Sequence, residues 1–311
     1  MTVPVVIDCD PGVDDMVALL LACASPEIEL LGVTTVGGNL GLATTTRNAC
    51  AVLALAGRAD LPVAPGASRT LVRVPPPRAG HPHGPDGLGG IRLPEPAGAP
   101  DPRHAIDLLA AMVEASDRPV TVVAIGPLTN VALFYARYPE LADRLGRLIV
   151  MGGATGAGNI TPAAEFNIWF DPEAAYRVLT EPPVPTTMVG LETTYAAALG
   201  RDDLTRLAAA GPVGALVGQA LGHYLRSYAE VLGRDAVPVH DAVAVLAAIR
   251  PDLVELRPAR IEVDTSSGPD RGATTVDQPD DGPVARVATG VDVAAFADLI
   301  VTRVGQTAPA G

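Results

Sequence analysis

Residues 5–15 run Val-Val-Ile-Asp-Cys-Asp-Pro-Gly-Val-Asp-Asp, and Met16, Val17, Leu19, Leu20 and Leu21 follow at helical length. The β-branched run favours a strand, Pro11 and Gly12 force a turn, and the apolar stretch continues as a helix. A chain that repeats strand, turn and helix is committed to a parallel sheet, because parallel neighbours need a crossover and the helix supplies it. The alternation does repeat. Residues 28–36 read as a strand ending in Gly37-Gly38-Asn39, with a helix over about 42–56 behind it. Residues 105–115 read as a helix, and 120–125 as an apolar strand that Gly126-Pro127-Leu128-Thr129-Asn130 turns into the next helix. Further strands are expected at 147–151 and 186–191, and a helix at 211–232 with Tyr224 and Tyr228 on one face, a pair that commonly just packs. A strand near 260–263, a turn-rich stretch over 264–283, a strand near 284–288 and an amphipathic helix over 292–303 complete the pattern. The fold class expected is α/β: an open, mostly parallel central sheet flanked by helices, with a Rossmann-like core. No repeat or linker divides the chain, so residues 1–311 are expected to form one domain.

The first turn also carries chemistry. Asp8, Asp10, Asp14 and Asp15 crowd the carboxyl end of the first strand, where ligands sit in open α/β sheets. Four carboxylates in one place raise each other's pKa unless a cation lies among them. Hard oxygen ligands suit Ca²⁺ or Mg²⁺. Capping accounts for part of the cluster: Asp14 suits an N-cap, and Asp15 complements the helix dipole. Asp10 has no such duty, which makes the turn a candidate metal site.

Elsewhere the polar signals are sparser. Residues 66–102 are dense in Pro and Gly and hold His81 and His83 within Gly-His-Pro-His-Gly, which reads either as a mobile flap over a site or as a surface loop. Asn159, Glu165 and Asn167 offer hydrogen-bonding groups suited to sugar hydroxyls, and also to capping a loop. His240-Asp241 precedes an apolar helix, with Asp241 able to cap it and His240 able to sit buried and satisfied.

Bulk properties exclude more than they identify. A net charge of −13 argues against a nucleic-acid partner. Three cysteines are too few for a disulfide framework, and no basic leader or run of ~18 apolar residues is seen, so a cytoplasmic protein without a membrane span is expected.

Taken together, Asp8–Asp15, Thr34-Thr35-Val36-Gly37-Gly38-Asn39, Gly126–Asn130, Met151-Gly152-Gly153, Glu165-Phe166-Asn167 and Val239-His240-Asp241 resemble, in order and approximate spacing, the motifs of the inosine-uridine nucleoside hydrolase family. The resemblance covers nearly the whole chain. It implies the nucleoside hydrolase fold and a Ca²⁺ held by Asp10, Asp15, Asp241 and the carbonyl of Ile125. It also implies a ribonucleoside substrate. Asp14, Asn39 and Asn167 would hold the ribose hydroxyls, Asn159 and Glu165 the 5′-hydroxyl, and Met151 would line the sugar pocket. His81, Tyr228 and His240 match positions near the base. The flap at 66–102 and a helical region around 200–250 would lie near the site. A homodimer or homotetramer is implied as well. Glu192-Thr193-Thr194-Tyr195 departs from the family's Asp-x-Thr-His pattern, so contacts beneath the site are expected to differ.

The chemistry fits these residue types. Breaking an N-glycosidic bond puts positive charge on the ribosyl ring and negative charge on the leaving base. Asp10 would take a proton from the attacking water, neighbouring carboxylates would favour the ribosyl cation, and His240 would protonate the base. Two rivals remain on sequence grounds. A phosphohydrolase of the haloacid dehalogenase type also opens with Asp-x-Asp, but leaves Asp14, Asp15, Asn39, Asn167 and His240 without a task. A non-catalytic nucleoside or ribose sensor on the same fold would not need a base beside the metal.

Overall fold

A computed structural model describes residues 2–75, 82–96, 98–233, 235–278 and 285–307. The strands, in chain order, are β1 (Val3–Cys9), β2 (Ile28–Thr35), β3 (Val63–Pro65), β4 (Thr121–Ala124), β5 (Arg147–Met151), β6 (Thr186–Val189), β7 (Leu199–Gly200), β8 (Ala236–Val237), β9 (Val254–Val263), β10 (Thr274–Asp277) and β11 (Ala285–Val291). Among the described residues nine of them form one sheet in the order β10-β9-β11-β6-β5-β4-β1-β2-β3, while β7 and β8 pair in a small ribbon. From β3 to β6 every pairing is parallel, and β11 continues parallel on β6. Antiparallel pairing enters only with β9 against β11 and β10 against β9.

The chain leaves β1 toward β2 and β3, then returns to place β4 on the other side of β1. That reversal opens a crevice at the carboxyl ends of β1 and β4, the place where open α/β sheets bind ligands. Asp10 and Ile125 both follow those strand ends directly.

The strand pleat sorts the core. Val5, Ile7 and Cys9 join Val123, Ile125, Ile149 and Met151 in one apolar layer with the helices Val13–Cys23 and His240–Ile249. Val6 joins Val122, Ala124, Leu148 and Val150 in the opposite layer with Phe134 and Val178. Alternate residues of a strand face opposite sides, so the even-numbered Asp8 is turned away from the first layer. In the first helix the residues Val13 to Ala22 are all buried, which is why it reads as apolar all round rather than as a striped surface helix.

Several sequence expectations need amending. The first helix begins at Val13 with Gly12 at its N-cap, so Asp14 lies inside the first turn and does not cap. Asp15 takes the capping duty, accepting from the amide of Gly12 at 2.8 Å. Asp241 likewise lies inside its helix, whose N-cap is Val239. The stretch at 264–283 holds the strand β10, and the polar loop at 159–167 ends in the short helix Phe166–Phe170. Neither could be read from local pattern: β10 exists only by pairing with β9. Among the described residues of 66–102 there is no helix or strand; His83 and Leu88 are buried, while Leu71, Val72 and Val74 are exposed. No helix of the described residues is long and apolar enough to cross a membrane.

The C-terminal helical stretch is tied back by Arg303. Its guanidinium donates to both carboxylate oxygens of Glu27, at 2.8 and 2.6 Å, and to Ser25 Oγ at 2.9 Å. The Arg303 hydrogen bonds hold the Glu27 carboxyl below its ordinary pKa. A depressed carboxyl stabilises the fold above the unfolded-state pKa, and that contribution is lost as pH falls through the folded value. Arg303→Met should therefore cost about 1 kcal/mol at pH 7 for a half-buried bidentate pair. The check is thermal melting of both proteins from pH 7 to 3: the gap in Tm should narrow toward the acid end.

Candidate active site

The acid cluster is assembled from two helices and one strand end. Asp10, Asp14 and Asp15 leave the β1 turn, and Asp241 arrives from the first turn of the helix His240–Ile249. All four are buried, as is Asp8. Oxygens of Asp14, Asp15 and Asp241 lie within 4.8 Å of one another, close enough to share a metal ion. Asp10 stands beside this triple, one oxygen accepting from the backbone amide of Asn39 at 2.5 Å. Its other oxygen, Oδ1, is buried without a hydrogen-bond partner, as is Oδ1 of Asp14.

Electrostatics make the cluster costly as it stands. Burial raises Asp14 to about 8 and Asp15 to about 6. Asp10 and Asp241 are pushed well above the ordinary carboxylate range by burial and then by their acidic neighbours. An added cation would reverse each of these shifts. The donor set, hard oxygens with two orphaned lone-pair sites, fits a divalent ion such as Ca²⁺ or Mg²⁺.

Asp8 has a different place. Burial raises it to about 7. Its Oδ1 accepts from Asn130 Nδ2 at 2.7 Å and from Thr34 Oγ1 at 2.6 Å. Asn130 also donates to the Thr35 carbonyl and accepts from the amide of Ala67. The Gly126–Asn130 turn thus knots β1, β2 and the chain after β3 beneath the site, a duty of Asn130 that its position in a helical first turn did not reveal.

Two glycines wall in Asp10. A Cβ at Gly38 would stand 2.1 Å from Asp10 Oδ2, and one at Gly126 would stand 2.6 Å from Oδ1. Both are strand-end glycines, required here by close approach rather than by unusual backbone angles.

Facing the acids are the amides and the acid of the 159–167 segment. Asn167 donates through Nδ2 to the carbonyls of Ile125 at 3.1 Å and Met151 at 3.2 Å. The Ile125 carbonyl therefore points into the cleft. Glu165 accepts from the amides of Gly153, Asn167 and Ile168, and Asn159 from that of Phe166. Both residues cap the loop, as one sequence reading had it, and both also line the cleft.

The remaining wall is aromatic. Tyr224 stacks on His83, with ring centroids 4.8 Å apart, and meets Tyr228 edge-on at 4.7 Å. Its hydroxyl reaches Asp14 Oδ2 at 3.5 Å. His83 accepts through Nδ1 from the amide of Val13 and sits 3.6 Å from Asp14 Oδ1. A Cβ at Gly12 would strike its ring at 2.7 Å. His240 is buried, which pushes its pKa down to about 3. Its Nδ1 meets Thr194 Oγ1 at 2.7 Å, while Nε2 has no partner.

One narrow cleft thus gathers Asp14, Asn39, Ile125, Met151, Asn159, Glu165, Asn167, Tyr228, His240 and Asp241. Asp10 and Asp15 do not line the cleft; they are buried behind it, Asp10 accepting from the amide of Asn39 and Asp15 from those of Asp10 and Gly12. His81 lies outside the described residues. The histidine that the structure does bring to Asp14 is His83, two positions on, and Tyr224 joins Tyr228. The i, i+4 spacing of the tyrosines was the available signal for the second; nothing local separated His83 from His81. Roomier hollows of about 460 Å³ lie elsewhere, one beside Trp169 and Phe170 and one beside Leu42 and Pro100, but neither gathers carboxylates.

A buried acid cluster suited to a cation, sharing a cleft with amide and carboxyl groups able to hydrogen-bond a polyol, suits a metal-dependent enzyme for a small polar molecule. Comparison makes the class specific. The profile of the inosine-uridine preferring nucleoside hydrolases matches residues 5–298. The pyrimidine-specific ribonucleoside hydrolases RihA of Citrobacter koseri and Escherichia coli are each 40% identical over 311 residues, covering 97% of this chain and 98% of theirs. Among solved structures, the plant nucleoside hydrolase PpNRh1 superposes with a TM-score of 0.90 at 33% identity, covering 99% of this chain and 100% of its own. The purine-preferring ribonucleoside hydrolase of Gardnerella vaginalis gives 0.90 at 30% identity, covering 98% of each chain. The chain belongs to the inosine-uridine preferring nucleoside hydrolase family, and its reaction is hydrolysis of the N-glycosidic bond of ribonucleosides.

The glycine walls yield a test. Gly38→Ala and Gly126→Ala should each displace the Asp10 carboxylate and weaken divalent-ion binding by roughly tenfold or more, an overpacking effect of about 1–3 kcal/mol. Gly41→Ala is the control, because a Cβ there meets open space. Calorimetric titration with Ca²⁺ separates the three.

Proposed function

We propose that the chain is a Ca²⁺-dependent hydrolase of pyrimidine ribonucleosides, releasing ribose and free base. The observation that carries this reading is one narrow cleft lined by Asp14, Asp241, Ile125, Asn159, Glu165, Asn167 and His240, whose buried Nε2 has no partner, with Asp15 close enough to Asp14 and Asp241 to share a metal ion. The pyrimidine preference rests on the 40% identity to the RihA enzymes.

By the family resemblance Asp10, Asp15, Asp241 and the Ile125 carbonyl would hold the ion, and Asp14, whose oxygen lies within 4.8 Å of those of Asp15 and Asp241, stands close enough to join them. When bound, Ca²⁺ supplies positive charge that relieves the repulsion among the acids and makes a nearby water more acidic. Asp10 keeps one oxygen fixed by Asn39 and the other free of partners, the arrangement of a group able to take a proton from that water. Water adds to C1′ as the bond to the base breaks, and the base leaves with the electron pair. The carboxylates of Asp14, Asp15 and Asp241 favour the positive charge that appears on the ribosyl ring. Asp14, Asn39 and Asn167 would hold the ribose hydroxyls, and Asn159 and Glu165 the 5′-hydroxyl, with Met151 against the sugar. His240 would act as the acid toward the departing base by donating a hydrogen bond to the negative charge that develops there, with Tyr228 beside it in the base pocket, and His81 is carried as a base-pocket residue by resemblance alone.

Asp10→Asn should lower kcat by roughly 10²–10⁴ while leaving melting temperature and circular dichroism close to wild type. A folded, Ca²⁺-loaded variant with normal turnover would rule Asp10 out as the base. Ribose release from uridine, cytidine, inosine, adenosine and guanosine, without phosphate, should be greatest for the first two and stop on chelation by EDTA. His240→Ala should slow uridine far more than p-nitrophenyl riboside, whose leaving group needs no proton.

A further inference from the structure

The proposed reaction assigns the 5′-hydroxyl to Asn159 and Glu165, and both belong to the segment between β5 and the helix Phe166–Phe170. Residues 152–163 of that segment are in neither helix nor strand, and Thr155, Gly156, Ala157 and Asn159 are exposed. Side-chain packing therefore holds little of it, and its position depends on hydrogen bonds.

Those bonds converge on the edge strand β10. Thr274 Oγ1 accepts from the Ala154 amide at 2.9 Å and donates to the Ala154 carbonyl at 2.6 Å. The backbone partners fix the roles, since an amide N–H only donates and a carbonyl only accepts. Ala154 is buried, so water is no easy substitute for either bond. One residue earlier, Ala273 forms an isolated antiparallel bridge with Ala164. Two consecutive residues, 273 and 274, thus grip both ends of the segment.

From each grip the contacts reach the cleft groups in one step. The Ala164 carbonyl accepts from the Asn159 amide at 3.1 Å. Gly153, next to Ala154, donates to Glu165 Oε2 at 3.0 Å. Gly153 has a left-handed φ of 80°, and a Cβ there would stand 2.7 Å from Met188 Sδ and 3.1 Å from Thr274 Oγ1. The chain passes Thr274 with room for a glycine and little more. Glu192 adds a further tie by accepting from the Thr155 amide at 2.8 Å, but Glu192 is exposed and water competes for that bond.

We propose that Thr274 is a positioning residue for the hydrolysis: its two hydrogen bonds to Ala154 set the segment that presents Asn159 and Glu165, and so set how strongly the enzyme selects for a 5′-hydroxyl on the ribose. This inference rests on the reading of Asn159 and Glu165 as the partners of that hydroxyl. The cleft is lined by those two residues and not by Thr274, which acts through Ala154 and Gly153.

The test compares kcat/KM for uridine and 5′-deoxyuridine in the Ca²⁺-loaded enzyme. Losing the hydrogen bonds to one hydroxyl should make the deoxy substrate roughly 10–100-fold poorer for the wild type. Asn159→Ala should shrink that ratio, which tests the 5′-hydroxyl reading by itself. Thr274→Val keeps the side-chain shape, suits a strand and removes the hydroxyl. It should lower the ratio about fivefold through loss on uridine, with 5′-deoxyuridine within about twofold of wild type. Thr274→Ser should recover most of the loss, and Thr275→Val, at an exposed position of β10, should leave the ratio unchanged. Amide hydrogen exchange should be at least about fivefold faster over residues 153–165 in Thr274→Val, with β1 and β4 as protected as in the wild type. A Thr274→Val enzyme that keeps the full ratio while Asn159→Ala loses it overturns the inference. So does an equal loss on both substrates, the mark of a residue that only supports the fold. If Asn159→Ala leaves the ratio unchanged, the 5′-hydroxyl reading fails and the inference falls with it.

Discussion

The structure turns on the burial of five aspartates around one crevice. Removing a carboxylate from water without a partner is expensive, and here the acids are also close enough to repel one another. Everything around them answers that problem. Backbone amides of Asp10 and Gly12 point at Asp15, that of Asn39 at Asp10, and the Asn130 amide group at Asp8. What those donors leave unanswered are bare oxygens on Asp8, Asp10 and Asp14, and for the two in the metal-binding cluster, Asp10 and Asp14, a divalent cation is the species whose charge and ligand preference match.

The sheet supplies the place where this can happen. Because the strand order reverses between β1 and β4, the loops after them diverge and leave a crevice between them. Into that crevice the glycines at 38 and 126 let the Asp10 carboxylate fit between two loops. The pleat then divides the labour of two acids only two residues apart. Asp8 lies within the strand and anchors Thr34 and Asn130, while Asp10 lies past its end, buried against Asn39, Gly38 and Gly126. Adjacent acids of one motif thus do unlike work, one holding loops together and one facing the chemistry.

Much of the fold was legible in the sequence. The strand–turn–helix alternation marked β1, β2, β4, β5 and β6, since each is an apolar run closed by Gly, Asn or Asp, and turn chemistry is local. The helices at 105–115 and 212–232 were equally plain. What local pattern missed were elements that exist through pairing. β3 is three residues long, β10 is half-exposed, and the helix Phe166–Phe170 is held by the Glu165 carboxylate on its own first amides. Capping misled in one respect: Asp14 and Asp241 look like N-caps in sequence, but each lies inside its helix and is spared for the cleft.

By itself the sequence determined the acidic turn, the parallel sheet and the residues that the resemblance places at the site, because these depend on neighbours a few positions apart and on ordered motifs. Only the tertiary structure decided which polar groups meet. His83 comes to Val13 and Asp14 across about 70 positions, Tyr224 reaches Asp14 across 210, and Thr194 reaches His240 across 46. Contacts of that span are set by how the helices pack on the sheet, not by spacing along the chain.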